Sequence, residues 1–597
     1  MRFGAEVGDT GVRFRLWCPK HPCVSLKIEG SDALWPMNAL ADGWFELATE
    51  HAGPGALYRF VLPDGSTIPD PASRFQPQDV HGPSEVIDPT AYPWTDSDWR
   101  GRAWEETVVY ELHIGAFTAE GTFRAAAERL DALAELGVTA VELMPVADFP
   151  GGRNWGYDGV QLFAPDATYG RPDDLKSLVD TAHARGLMVL LDVVYNHFGP
   201  EGNYWPACAP IFTERHHTPW GAAVNFDGDG AATVRELVIA NALYWIEEFH
   251  IDGLRLDAVH AILDDSPKHI LDELAEDVRQ AAGDRHVHLV LENEENTASL
   301  LRRDAAGQLC RYTAQWNDDL HHALHTAATG ERVGYYADYF GDAEKLGRAL
   351  AEGFAFQGED MPYRGRRRGE PSRDLPPTTF VAFNQNHDQI GNRAFGDRLV
   401  DNAPPEAVRA VTAICLLSPQ IPMLFMGEEW GTSRPFPFFC DFRRELADAV
   451  RNGRRAEFAR FPAFRDARTR ERIPDPTALE TFLSAKLDWD RSGAGGHAEW
   501  RTLYRRLLEI RHAEIVPRLK GITGNCGRYA AIGPSAVSVA WRLGDGSQLA
   551  LLANLSSAQC RIAASPEGRV LWSQGSLSDN QLDPWGMLFA LKESVDG

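Results

Sequence analysis

The stretch IDGLRLDAVHAI, from Ile251 to Ile262, sets an arginine and an aspartate, Arg255 and Asp257, two positions apart at the end of an otherwise apolar strand pattern. Alternate side chains of a strand share one face, so this spacing lets the two groups serve one site. Burying a charge without a partner is costly, so such a pair reads either as a structural ion pair or as part of a functional site. The flanking sequence decides between the two.

Before this stretch come TVVYELHIGAF, VTAVELMPV and LMVLLDVVYNH; after it come HVHLVLEN, CRYTAQW, TTFVAFNQNHD and IPMLFMGEEWG. These strand-like runs alternate with helical ones such as TFRAAAERLDALAELG and PDDLKSLVDTAHARG, which is β/α architecture. Strand starts fall at Val108, Val138, Leu187, Gly253, Val287, Arg311, Phe380 and Met423. Eight units predict a closed (β/α)8 TIM barrel rather than an open doubly wound sheet, with long loops or small inserted helices after the second, third, sixth and eighth strands. From Gly11 to about Val86 the short runs VRFRLW, VSLKI, WFELA and LYRFVL predict an antiparallel β domain, taken as an immunoglobulin-like β-sandwich. After Gly521, GRYAAI, AVSVAWRL and QLALLANL predict a C-terminal antiparallel β domain. The expected domains are therefore 1–90, 91–520 and 521–597.

A length of 597 residues exceeds what one hydrophobic core serves. With 59 basic and 85 acidic residues the formal charge is -26, which disfavours nonspecific binding to nucleic acid or to an anionic membrane. No apolar run is long enough to span a bilayer, and no apolar run follows a basic segment at the start, so a cytoplasmic protein is expected. The cysteines at 18, 23, 208, 310, 415, 440, 526 and 560 lack metal-ligand spacing and read as ordinary thiols. Neither a metal nor a cofactor is expected.

In such a barrel the polar residues that close successive strands converge on one rim. Here they are Asp192 and His197, Arg255 and Asp257, Glu292, and His387 with Asp388. Three carboxylates beside an arginine and histidines form the inventory for glycoside cleavage, in which one acid protonates the departing oxygen while a second carboxylate attacks the sugar carbon. The charge of Arg255 favours an ionised, nucleophilic Asp257. Glu292 follows the apolar run VHLVL, with Glu294, Glu295 and Asp257 as sources of negative potential, which suits a protonated acid. Asp388 remains for the cationic transition state, and His387 for a sugar hydroxyl. No GxxxxGK[ST] cradle, HExxH helix or Ser/Cys nucleophile with a base partner is visible.

The blocks DVVYNH (192–197), GLRLDAVH (253–260), LENEE (291–295) and NQNHD (384–388) resemble, in order, the four conserved regions of the α-amylase superfamily. With ELHIGAF and NWGYDGV the resemblance covers roughly 107–431, and both flanking β domains are similar to those of multidomain members. WNDDLHHALH (316–325), FNQNHDQIGNRAFGDRL (383–399) and LFMGEEWG (424–431) resemble the maltooligosyltrehalose trehalohydrolase family more than the glycogen branching enzymes. The resemblance implies Asp257 as nucleophile, Glu292 as acid/base and Asp388 as the stabilising carboxylate. It also implies Arg255, His197 and His387 as supports, Asp192 ordering the arginine, and Tyr157 as a platform under the sugar. The implied reaction is retaining hydrolysis of the α-1,4 bond between a maltooligosaccharide and a terminal trehalose, with water as acceptor and trehalose released. The alternatives are an α-glucan branching enzyme or another amylase-type hydrolase, and a catalytically silent glucan binder.

Trehalose is bent and nonreducing, so its selection calls for hydroxyl partners on the leaving-group side. Asp318, Asp319, Gln389 and Asn392 are the candidates, although Asp318 and Asp319 are equally suited to capping the next helix. The double glutamate at 294 and 295 leaves the acid assignment dependent on which side chain faces inward. His260 lies at helical spacing from Asp257 and is expected either to touch sugar or to sit in a loop. Met423, Phe425 and Met426 are expected in barrel packing, and the basic stretch 363–377 is expected to be a solvated excursion. Trp205, Trp220 and Trp430 are either sugar-stacking surfaces or core.

Overall fold

The computed structural model describes residues 2–304 and 306–594. Its centre is a closed parallel barrel of eight strands: β1 (Val109–Leu112), β2 (Ala140–Leu143), β3 (Met188–Val193), β4 (Gly253–Leu256), β5 (His288–Leu291), β6 (Ala314–Trp316), β7 (Phe380–Phe383) and β8 (Ile421–Phe425). Every barrel strand is buried on both faces, so its sequence reads as a nearly continuous apolar run instead of an alternation.

Alternation does decide which residues point inward. Val109, Ala140, Met188, Leu190, Val290, Ala314, Val381, Phe383, Ile421 and Met423 pack together as one cluster inside the barrel. The next residue in phase on each of five successive strands is polar: Glu111, Glu142, Asp192, Arg255 and Glu292. An apolar floor therefore carries an ionisable layer directly above it. In register, Glu111 lies beside Glu142 and Asp192 beside Arg255. Phe425 and Met426 are buried in the surrounding core, so this segment packs as its composition suggests.

The N-terminal sandwich pairs two antiparallel sheets, one around Gly11–Trp17 and one around Ser25–Ile28 and Leu57–Val61. Phe14, Leu16, Leu26, Tyr58 and Phe60 fill the space between them. The C-terminal unit contains a five-stranded antiparallel sheet that leans on the helix Ala343–Glu352. Trp541 donates to the Leu350 carbonyl across this junction at 3.0 Å. Gly347 permits the approach, because a Cβ there would lie 2.5 Å from the Tyr529 ring.

Two hairpins are added to the rim. One, Phe212–Thr218 with Gly221–Val224, follows β3; the other, Glu359–Met361 with Arg366–Arg368, follows β6. The second corrects the expectation of a solvated excursion for 363–377: Tyr363, Arg366 and Arg367 are exposed, but Arg364, Arg366 and Arg368 pair with Glu294, Glu295 and Asp319. Trp205 and Trp430 are core residues, whereas Trp220 is 51 % exposed and stacks on His197. Among the described residues no helix is long and apolar enough to cross a membrane.

The helix Gly496–Ile510 runs into Arg511, a fully buried side chain that closes the barrel from outside. It donates to the carbonyls of Leu416, Ser418 and Gln420 at 2.8 to 3.0 Å, tying the end of the helix Pro405–Leu417 to the start of β8. Replacing Arg511 with Ala removes three charge-assisted bonds and leaves buried carbonyls unpaired. It should lower the urea-unfolding free energy of the barrel transition by about 3 kcal/mol or more. An unchanged unfolding midpoint would show that these carbonyls find other donors.

Candidate active site

Arg255 is fully buried and reaches three carboxylates from the inner face of β4. Its Nη1 donates to both oxygens of Asp192 at 2.9 and 2.8 Å and to Asp257 Oδ1 at 2.8 Å. Its Nη2 lies 3.9 Å from Glu292 Oε2, and the guanidinium sits 4.2 Å from the Trp316 ring centroid. Asn196 donates to the second Asp257 oxygen at 3.0 Å, so both oxygens of that carboxylate are oriented by donors. Asp257 itself is 8 % exposed.

Glu292 closes β5 next to Asp257. The chain between them turns through Ala258, a nonglycine residue at φ 39° and ψ 51°, and its amide then donates to Glu292 Oε2 at 2.6 Å. A left-handed alanine is strained, and here the strain aims an N–H at the carboxyl group. Burial pushes the Glu292 carboxyl well above its ordinary range against the pull of Arg255, and Asp257, Asp318 and Asp388 add to the rise. The group is thereby kept as an acid carrying its proton.

Asp388 belongs to the short helix His387–Gly391, capped by the Asn386 side chain. Its carboxylate is 42 % exposed to the cleft, with Asn392 donating to it at 3.1 Å. Beside it, His387 stacks on Tyr157 with ring centroids 5.0 Å apart. The Tyr157 hydroxyl donates to Asp192 at 2.6 Å, linking this platform to the arginine. His197 is held to the Tyr157 carbonyl at 2.9 Å and to Asn196 at 2.7 Å.

A cleft of about 540 Å³ opens above Glu292 and Asp388 and is also lined by Asp318, Gln389 and Asn392. Trp316, His322, Tyr335 and the hairpin residues Tyr363, Arg364, Arg366 and Arg368 complete its walls. Burial raises the Asp318 carboxyl to about 7, with Arg368 opposing the rise.

A family model described as the alpha amylase catalytic domain matches residues 76–211, and another, described as a domain of unknown function (DUF3459), matches residues 524–589. Malto-oligosyltrehalose trehalohydrolase of Deinococcus radiodurans is 44% identical over 513 residues, which cover 85% of this chain and 82% of that protein. The protein of the same name from Saccharolobus solfataricus is 42% identical, covering 86% of this chain and 87% of that one. The chain belongs to the malto-oligosyltrehalose trehalohydrolase family of the α-amylase superfamily. A solved structure described as a putative alpha amylase from Salmonella typhimurium superposes with a TM-score of 0.94 at 46% identity, covering 99% of both chains.

In this trehalohydrolase-family chain, Asp319 departs from the expected role on the sugar side. It is fully buried, and its oxygens accept from Asn296 Nδ2, the amides of Ala355 and Phe356, Tyr339 and Arg368, leaving none directed at the cleft. It braces the loop behind the wall. The helix cap is neither Asp318 nor Asp319 but Asn317, which accepts from the Leu320 amide. Of the acids expected to raise Glu292, Asp257 does so, together with Asp318 and Asp388, whereas Glu294 and Glu295 pair with Arg364 and with Arg364 plus Arg366, respectively. His260 sits partly buried in a turn and accepts from the Glu294 amide at 3.4 Å. Sequence reasoning missed Asn196, His322, Tyr335 and the hairpin arginines. His216 on the hairpin after β3, Asp227 just beyond it and Asp265 in the segment after β4 also bring three ligand atoms together, although Arg215 lies 3.4 Å from Asp227 and neutralises part of that charge.

Breaking the buried pair at Arg368 with Met leaves Asp319 in the interior without its cationic partner and should cost about 3–5 kcal/mol in urea unfolding. Asp319→Ala should reduce kcat/KM by similar factors for maltooligosyl trehalose and for plain maltooligosaccharide. A loss confined to the trehalose substrate would return Asp319 to the sugar side.

Proposed function

We propose that this site hydrolyses the α-1,4-glucosidic bond between a maltooligosaccharide and a terminal trehalose unit with net retention, releasing trehalose. The observation that carries the reading is Arg255 holding Asp257 at 2.8 Å while its other arm lies 3.9 Å from Glu292, whose carboxyl is held well above its ordinary range. Asp257 attacks the anomeric carbon as Glu292 gives its proton to the departing trehalose oxygen. Glu292, now a carboxylate, then takes a proton from the water that releases the glycosyl group from Asp257. Asp388 faces the positive charge that develops on the sugar ring, and Tyr157 with His387 forms the surface beneath it. Asp318, Gln389 and Asn392 are the leaving-group-side partners, supported by their place in the cleft wall.

The division into domains 1–90, 91–520 and 521–597 is supported by the separate sheets at either end of the barrel. A cytoplasmic setting is our reading of eight free cysteines and an acidic chain suited to neutral sugar partners.

Chromatography of products from maltotriosyl trehalose should give trehalose and maltotriose. Transfer to amylose without hydrolysis would favour a branching enzyme instead, and binding without any turnover a silent glucan binder. Asp257→Asn should lower kcat by roughly 10³-fold or more with folding intact. Glu292→Gln should cut hydrolysis of the natural substrate by about 10²–10⁴-fold yet largely spare an α-glycosyl fluoride, whose leaving group needs little protonation. Because Glu292 acts in its protonated form, kcat/KM for the natural substrate should persist through neutral pH and fall as pH rises through its elevated pKa. Asp318→Ala should weaken kcat/KM about tenfold for the trehalose-ended substrate and less for plain maltooligosaccharide, tested by steady-state kinetics on both.

A further inference from the structure

Beneath the proposed machinery lie two acids with no assigned part in it, Glu111 and Glu142, side by side on β1 and β2. Glu111 is 1 % exposed and grips His387 at two points: Oε1 lies 2.5 Å from ring Nδ1, and Oε2 accepts the His387 backbone N–H at 3.1 Å. The backbone contact fixes the start of the helix that carries Asp388, and the ring contact fixes the imidazole within it. The far nitrogen, Nε2, is 3.5 Å from Asp388 Oδ1. We propose that Glu111 is a positioning residue of this enzyme: by holding His387 at ring and backbone together, it keeps the imidazole doubly protonated, with Nε2–H turned toward Asp388 and the sugar. The proposal rests on the role given above to Asp388.

Both carboxylates are acceptors when ionised, so a ring between them satisfies both only with a proton on each nitrogen. The titratable and charged groups facing His387 come from several elements: Glu111 and, just beyond it, His113 on the β1 side, Glu142 on β2, Asp192 on β3, Arg255 on β4, Asp388 on its own helix, and Tyr157, whose hydroxyl lies 3.5 Å from Nδ1. Burial and Arg255 oppose a charge on the ring, but Asp388 and Glu111 outweigh them and raise its pKa to about 9. Glu142 has a buried oxygen without a partner, and burial next to Glu111 drives its carboxyl far upward. Glu142 thus holds its proton, and it is Glu111, not Glu142, that meets the His387 ring. The imidazolium and its two contacts should persist through neutral pH and be lost as pH rises through about 9.

The test is nitrogen NMR of the histidine rings in selectively labelled protein, with His387→Asn used to assign the resonance, alongside pH profiles for an α-glycosyl fluoride. In the parent protein the His387 ring should titrate near pH 9. In Glu111→Gln the midpoint should fall by about one to three pH units, and the alkaline limb of fluoride hydrolysis should move with it. At pH 8, kcat/KM should drop roughly tenfold or more, in kcat more than in KM. Glu111→Asp should recover part of both effects and serves as the reporter if the glutamine variant does not fold, whereas Glu142→Gln should leave His387 charged at neutral pH. A His387 midpoint unchanged in Glu111→Gln, or an activity loss equal at every pH, would overturn the proposal and leave Glu111 a packing residue. The ring titration is read without substrate, so it fails or succeeds separately from the roles of Asp257 and Glu292.

Discussion

One buried guanidinium organises the upper half of the barrel. Arg255 sits among acids on its own and neighbouring strands. Without it, Asp192 and Asp257 would be two buried carboxylates facing each other, a repulsion the interior would relieve by protonating one of them. With it, Asp257 has a cationic partner at 2.8 Å, whereas Glu292 is approached only at 3.9 Å and burial holds its carboxyl well above the usual range. Distance from the cation is only one factor, because burial still pushes the Asp192 carboxyl, bonded to Arg255 at 2.8 Å, up to about 7. Trp316 seals the guanidinium face, so little water is left to weaken these interactions.

The fold was legible because barrel strands announce themselves as apolar runs of fixed length separated by helices, and all eight began within a few residues of where the sequence put them. The visible part of the site was the part that ends strands: Asp257, Glu292 and Asp388 stand at the edges of apolar runs, where a charge is conspicuous. Glu111 and Glu142 were less visible because each is a lone acid inside a run, TVVYELHI and VTAVELMPV, with apolar residues on both sides. The signal existed all the same, since both occupy the inward phase one step above an apolar partner, the phase also held by Asp192 and Arg255.

Asp318 and Asp319 mark where pattern reading runs out. Adjacent residues at a helix start point to different surroundings, and which one meets the cleft depends on the angle at which the helix leaves β6. That angle is set by contacts far away in sequence: Asn317 reaching Gly353 and Gln420, and Arg368 arriving from the hairpin. The cleft wall was obscure for the same reason, because arginines in a loop reveal nothing of their partners until the loop is folded back onto the barrel.

The hairpin after β6 is anchored unevenly. At its root Arg368 and Asp319 are both buried, beyond the reach of dissolved ions, whereas nearer its turn Arg366 is 60 % exposed where it meets Glu295. Counterions at physiological strength screen charges over about 8 Å, so they weaken the outer pair and leave the inner one untouched. The roof of the cleft therefore behaves as a latch with a fixed pivot and an ion-softened tip, tightening in dilute solution and loosening in brine while the catalytic floor stays as it is.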